Sequence, residues 1–354
     1  MTFGPHHYVP ILKCKRAEKT ALQALTPVVR GRLTPLMEIV EVKPGKTIAG
    51  HLNTAFHSMN AAFAGGAQFF LDAREVSTAS AAAARQVFDR AAGLALAFVP
   101  VTGISRPATE TQAALAHAQR GICLRVTKPE LEQGGLDARL LAFLSAHGLD
   151  PDGVDLVMDM GAVENLIPAT VQTIADEFVS TLGALRPWRT LTLSGTAFPR
   201  SMGVTASNTH VFIARTEWNA WTQLHGRRRG LARMPSFGDA AIQHPSGVEG
   251  FDPRIHQVSA SIRYTVASDW LLIKGSSTRI TPASVQFRRL AAQLVSRGPL
   301  ARFFAGAAHC YGCQDAVRAA RGAPRLGSAE VWRRIGTQHH LTTVVGQMAS
   351  LSWP

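Results

Sequence analysis

Short apolar runs in the first two thirds of the chain end in residues that can do chemistry. Lys13 ends YVPILK, Glu38 lies near the end of LTPLMEIV, and Asp72 and Arg74 close AQFFLDAR. Arg125 lies in GICLRVT, Asp159 in GVDLVMDMG, and Asp239 and His244 in PSFGDAAIQHP. Carboxylate oxygens suit magnesium or manganese, so Glu38, Asp72 and Asp159 are the candidate ligands of a divalent cation. Such an ion polarises a phosphoryl oxygen or activates water. Lys13, Arg74 and Arg125 would neutralise the phosphate. The catalytic set expected on this reading is Lys13, Glu38, Asp72, Arg74, Asp159, Asp239 and His244. The reaction would be that of a metal-dependent phosphodiesterase or nuclease-like hydrolase. The competing reading is that these charges cap their strands and pair with one another. No HxD or paired-histidine spacing, as in many phosphodiesterases, occurs on these runs.

Other residues offer phosphate contacts. Ser194, Gly195 and Thr196 can present amides and hydroxyls at the end of RTLTLSGTAFP. Arg263, in the apolar stretch SASIRYT, needs a partner, and Asp239 is a candidate. An ion pair that only holds this segment is as good a reading as a catalytic one. His339 and His340 in IGTQHHLT point about 100° apart on a helix, one toward the core and one toward solvent or a cleft. Cys310 and Cys313 form a CxxC after His309, with His339 and His340 as distant partners. A second CxxC is absent, so zinc is not expected and a partly buried thiol pair in a turn is the default.

The elements that must position these residues follow a rhythm. Eight apolar runs, the last being Pro235 to Pro245, alternate with amphipathic stretches such as Lys15 to Leu25, Ser80 to Gly93 and Ile167 to Leu182. Runs apolar throughout suit parallel strands covered on both faces. The expected fold is α/β, a (β/α)8 TIM-barrel-like domain over residues 1–245, with functional groups at the strand C-termini. An open doubly wound sheet shares this rhythm, but no GxGxxG follows the first run. A helix is expected from Asn208 to Leu224. Residues 246–354 are expected to form a hairpin (Ser259 to Thr265 and Asp269 to Gly275), a basic helix (Pro282 to Arg297), an irregular stretch to Arg325 and a last helix, all packed on the barrel.

The chain has 354 residues, 46% hydrophobic, which permits a sizeable core and excludes wholesale disorder. The formal net charge is +13, carried mainly by arginine. That balance suits a polyanionic partner, either nucleic acid or an acidic protein, or else reflects genomic arginine bias. Arg227, Arg228, Arg229, Arg233, Arg288, Arg289, Arg333 and Arg334, interleaved with Trp218, Trp221 and Trp332, could contact phosphates and stack on bases; solvated arginines on outer helices are the competing reading. No run approaches the roughly 20 apolar residues of a membrane span. The N-terminal segment lacks a signal-peptide pattern. Four cysteines without a disulfide framework fit a reducing cytosol, so a cytoplasmic location is expected.

YVPILKCKRAEKTAL, LTPLMEI, FGDAAIQHP, the SIRYT…W…KG hairpin and WRRIGTQHHLTTVV together resemble the bacterial and phage "beta protein" family. The segments span nearly the whole chain in the family's order. The resemblance implies a prokaryotic or phage protein, often encoded near mobile-element or phage-defence genes. It implies a component of an antiviral system, either processing a phosphate-bearing substrate or serving as a non-catalytic sensor or scaffold subunit. Where the family carries a stretch like F-S-x-G-D, this chain has AAHCYGC, which argues against a metal site shared across the family.

Overall fold

The structure is a computed structural model that describes residues 2–182, 187–246, 259–296 and 298–353. Its strands, in chain order, are β1 (Tyr8–Lys13), β2 (Leu36–Glu38), β3 (Phe69–Asp72), β4 (Phe98–Thr102), β5 (Ile122–Thr127), β6 (Val154–Ala162), β7 (Thr190–Thr196), β8 (His210–Ala214), β9 (Ser236–Asp239), β10 (Ser259–Val266) and β11 (Asp269–Ser277). Strands β1 to β7 and β9 form a closed parallel barrel, with β9 pairing to both β7 and β1. The remaining three form an antiparallel sheet in the order β10-β11-β8. The expected TIM-barrel-like architecture and the hairpin are both present.

Two elements differ from expectation. Residues 210–214 are a strand rather than the start of a helix, and the helix begins only at Thr216. Alternating Val211 and Ile213 turn toward the core while their neighbours face solvent, as in an edge strand with one covered face. The stretch expected to be irregular contains a helix, Tyr311–Ala320. The end of the basic helix at Arg297 lies outside the described residues; the helix runs Ala283–Val295.

Side-chain alternation along the barrel strands sorts two layers. Val9, Ile11, Leu36, Phe70, Val99, Val101, Cys123 and Val157 pack together inside the barrel. Tyr8, Leu12, Met37, Leu71, Leu124, Met158, Leu193 and Phe237 belong to the core between strands and helices. Two residues beyond the inner apolar layer on β1, β2, β3, β5 and β6 stand Lys13, Glu38, Asp72, Arg125 and Asp159. Register makes the first three neighbours: Lys13 lies opposite Glu38, and Glu38 opposite Asp72.

The C-terminal helix, Ala329–Ser350, joins the two parts of the chain. Ser328 caps it, its hydroxyl accepting from Val331 N at 3.3 Å. Trp332 and Ile335 pack in the core beneath the antiparallel sheet, whereas Leu341, Val344 and Met348 pack in the barrel's outer core. Full burial of such an aliphatic side chain is worth about 1.5–3 kcal/mol. Close approach requires Gly336, because a Cβ there would lie 2.6 Å from Arg263 O.

Candidate functional site: a closed ion-pair cluster at the barrel mouth

The strand ends converge on one guanidinium. Arg125 Nη1 donates to Glu38 Oε1 at 2.6 Å and to Asp72 Oδ2 at 2.9 Å. Its Nε and Nη2 both reach Asp159 Oδ2, at 2.9 and 2.7 Å. Lys13 Nζ lies 2.7 Å from Glu38 Oε2 and also pairs with Glu75. Arg106 grips Asp72 with both terminal nitrogens, at 2.9 and 3.0 Å, and pairs with Glu110. The other oxygen of Asp159 accepts from Gly161 N at 2.8 Å, and Asp72 Oδ1 also accepts from Arg74 N at 2.9 Å.

Electrostatics follow from these contacts. Burial alone would raise the pKa of Asp72, but Arg106 and then Arg125 overcome it and hold the carboxyl well below its usual range. Burial also raises Glu38, and Lys13 and then Arg125 outweigh it and lower its pKa. Glu75 goes the other way: burial first, then the charge of Glu38, raises it. Three cations (Lys13, Arg106, Arg125) face five carboxylates (Glu38, Asp72, Glu75, Glu110, Asp159), so the cluster is net acidic.

Glu38, Asp72 and Asp159 meet as the strand-end reading expects, and the Arg125 guanidinium lies among them. Arg125 is not open to phosphate, since its fork is spent on three carboxylates. Lys13, at the rim, is likewise paired twice.

Other expected residues lie elsewhere. Arg74 is exposed and opens a helical turn, Arg74–Ser77, because β3 ends at Asp72. That turn instead returns Glu75 to Lys13. Asp239 shares the outward face of β9 with Phe237, which packs on Tyr8 and Trp218. Its carboxylate accepts from Tyr8 Oη at 2.5 Å and sits 2.9 Å from His340 Nε2. It does not join the mouth. Arg263 does not pair with Asp239; it donates to Ile242 O at 2.8 Å and lies over the Phe198 ring at 5.1 Å. His244 Nε2 meets Glu164 Oε1 at 3.0 Å.

Ser194, Gly195 and Thr196 line β7 and are covered. Thr196 Oγ1 accepts from Phe198 N at 3.1 Å, and a Cβ at Gly195 would lie 2.8 Å from Met160 Cε. His339 and His340 are both buried, so neither faces solvent. His340 turns to the barrel, and His339 to Tyr264 and Cys313, its Nδ1 3.3 Å from Cys313 Sγ. Trp218, Trp221 and Trp332 are core residues and cannot stack on bases.

Sequence reading missed Glu75, Arg106, Arg215 and Glu217. Glu217 is fully buried and accepts from Ala197 N at 2.9 Å through Oε2. Among the described residues no hydrogen-bond partner reaches its Oε1, Ser194 Oγ or Arg215 Nε. Burial pushes the Glu217 carboxyl up to about 8, against the pull of Arg215 and with the help of Asp239. Two clefts, of about 410 and 440 Å³, lie away from the C-terminal strand ends, one beside His7 and Thr34 at the opposite end of the barrel and one beside His210 and Arg289.

The segments that suggested a family fall on β1, β2, β9, the hairpin and the C-terminal helix. The family model described as Beta protein matches residues 8–346, which spans barrel and hairpin alike. The chain belongs to the Beta protein family. Comparison with curated proteins and with solved structures gives no match. Among the described residues, no helix is long and apolar enough to cross a membrane.

Proposed function

We propose that this Beta protein is a non-catalytic binding or scaffold subunit of a prokaryotic antiviral assembly. The observation that carries the non-catalytic part is the closure of the mouth. Each of the three strand-end carboxylates of the mouth, Glu38, Asp72 and Asp159, is held by Arg125, Arg106 or Lys13 at hydrogen-bond distance. A general base must lie within hydrogen-bond reach of its reactant, and these carboxylates are buried and turned toward Arg125, Arg106 and Lys13. A net acidic cluster also repels phosphate unless a cation intervenes. The antiviral part rests on the family resemblance and on nothing in the geometry. The net charge of +13 supports an anionic partner met on the outer surface.

A second reading, an enzyme acting on a phosphate-bearing substrate, has one observation in its favour. Glu75 is the cluster's most open carboxyl, with 31% of its side chain exposed, and its raised pKa suits a proton donor beside Lys13. A phage-plating assay with the protein and its neighbouring genes separates the two. Glu75→Gln and Lys13→Met, each confirmed as folded and expressed, should protect as well as wild type on the scaffold reading. Loss of protection with intact fold would replace it by the enzyme.

A further inference from the structure

Away from the barrel mouth, the fold gathers Cys310, Cys313 and His339. Their ligand atoms lie within 4.8 Å of one another, and all three residues are buried. We propose that these residues form a metal site for zinc, with water in the remaining position. Two thiolates and an imidazole are a donor set that zinc takes up with tetrahedral geometry.

Four features of the surroundings fit a built site. His339 aims Nδ1 at Cys313 Sγ, 3.3 Å away, a few tenths of an ångström short of the roughly 3.5 Å that zinc–sulfur and zinc–nitrogen bonds span at a tetrahedral angle. Its other nitrogen, Nε2, lies 2.8 Å from the carbonyl oxygen of Thr265. Donation of the second ring N–H to a carbonyl fixes the tautomer that leaves Nδ1 free for a metal. Tyr264 stacks on the His339 ring with centroids 3.8 Å apart, which fixes the ring plane. Cys310 Sγ accepts from Cys313 N at 3.3 Å, so the start of the Tyr311–Ala320 helix presents both sulfurs to one side.

The position of the cluster gives the ion a role. Cys310 and Cys313 belong to one helix start, His339 to the C-terminal helix, and Tyr264 and Thr265 to β10. These elements already approach closely: a Cβ on Gly312 would lie 2.8 Å from Ile335 O. A bound ion would staple the helix Tyr311–Ala320 to the C-terminal helix, and so stabilise the fold by mass action. His309 is not among the ligands; its Nε2 lies 3.1 Å from Thr343 Oγ1.

The test uses the full-length protein. Elemental analysis after purification without chelator should give a single zinc per chain. Cobalt added to stripped protein should give a thiolate-to-metal charge-transfer band and visible bands of tetrahedral intensity. Chelation should lower Tm by several degrees, and zinc should restore it. Cys310→Ser and His339→Gln should abolish or shift the cobalt spectrum, while Cys14→Ala should leave it unchanged. If a variant fails to fold, alkylation of wild type settles the matter: zinc should protect Cys310 and Cys313 from iodoacetamide. Wild type with no zinc and no cobalt spectrum, or with a Cys310–Cys313 disulfide under reducing purification, overturns the proposal.

Discussion

His340 Nε2 lies 2.9 Å from Asp239 Oδ2, and neither side chain touches solvent. The two residues are 101 positions apart, and their contact fastens the C-terminal helix to the last barrel strand. Tyr8 donates to the other carboxylate oxygen, and Thr265 Oγ1 lies 2.7 Å from His340 Nδ1. Burial holds His340 below its ordinary pKa despite the pull of Asp239, so the imidazole is neutral near pH 7 and donates through Nε2. His340→Ala would take one donor from a buried carboxylate that keeps Tyr8 Oη and Ala241 N, at a cost of about 1.5–3 kcal/mol. Adding Asp239→Asn should recover part of that loss. Urea unfolding of the single and double variants checks this; a single variant as stable as wild type would show that the contact does not hold the helix.

Arg125→Met is expected to be more damaging than any single carboxylate change in the mouth. Met fills a similar volume but leaves Glu38, Asp72 and Asp159 without their common partner, again about 3–5 kcal/mol or more. Asp159→Asn, with one carboxylate removed and Arg125 still paired to two, should cost less. A thermal melt that ranks Asp159→Asn below Arg125→Met would contradict the central place of the guanidinium.

The barrel was legible because parallel strands covered on both faces leave continuous apolar runs; β1 to β5 and β7 fall inside such runs, and β6 extends one residue past GVDLVMDMG to Ala162. The residues of the mouth were legible as well, since Lys13, Glu38, Asp72, Arg125 and Asp159 lie at or near strand ends. What they do there was not, because the sequence shows that charges converge but not which cation sits between them. Arg106 comes from a loop with no periodicity to mark it. Asp239 could have been separated from the mouth by parity alone, since it shares a face with Phe237. The helix Tyr311–Ala320 is short, and Cys310 is an unusual cap, so its start carried none of the common signals. The convergence of Cys310, Cys313 and His339 depends on how two helices pack, which local pattern does not specify.

Glu217 should make stability depend on pH. Its pKa is raised to about 8 in the folded protein, well above the unfolded carboxylate value of about 4.3. Between those values the folded state binds more protons than the unfolded state, so stability falls as pH rises from about 4.3 to about 8 and levels off above. Glu217→Gln keeps an oxygen for Ala197 N and removes the charge. It should raise Tm at pH 8 to 9 and change it little near pH 5. Differential scanning fluorimetry across that range checks the sign; a variant that is destabilised equally at both ends would show that Glu217 is charged throughout.

If the arginine excess meets an anionic partner, the Arg227–Arg229 loop offers it by charge alone. Arg227 pairs with Asp176, Arg228 Nη1 donates to His225 O at 3.0 Å, and Arg229 is exposed. The nearby Trp218 and Trp221 are buried, so base stacking adds nothing there. Binding to nucleic acid should therefore weaken with salt in proportion to the few phosphates contacted, with little preference for single strands. Changing Arg227, Arg228 and Arg229 to Gln should make the log–log slope against salt shallower. Asp176→Asn should act in the opposite direction, because it frees Arg227 from an exposed pair that is itself worth no more than about 1 kcal/mol. Fluorescence anisotropy with labelled single- and double-stranded oligonucleotides at several salt concentrations reads both effects. An unchanged slope in the triple variant would place the contact elsewhere. No binding at low salt would turn the charge toward an acidic protein partner, which pull-down with the products of neighbouring genes would then identify.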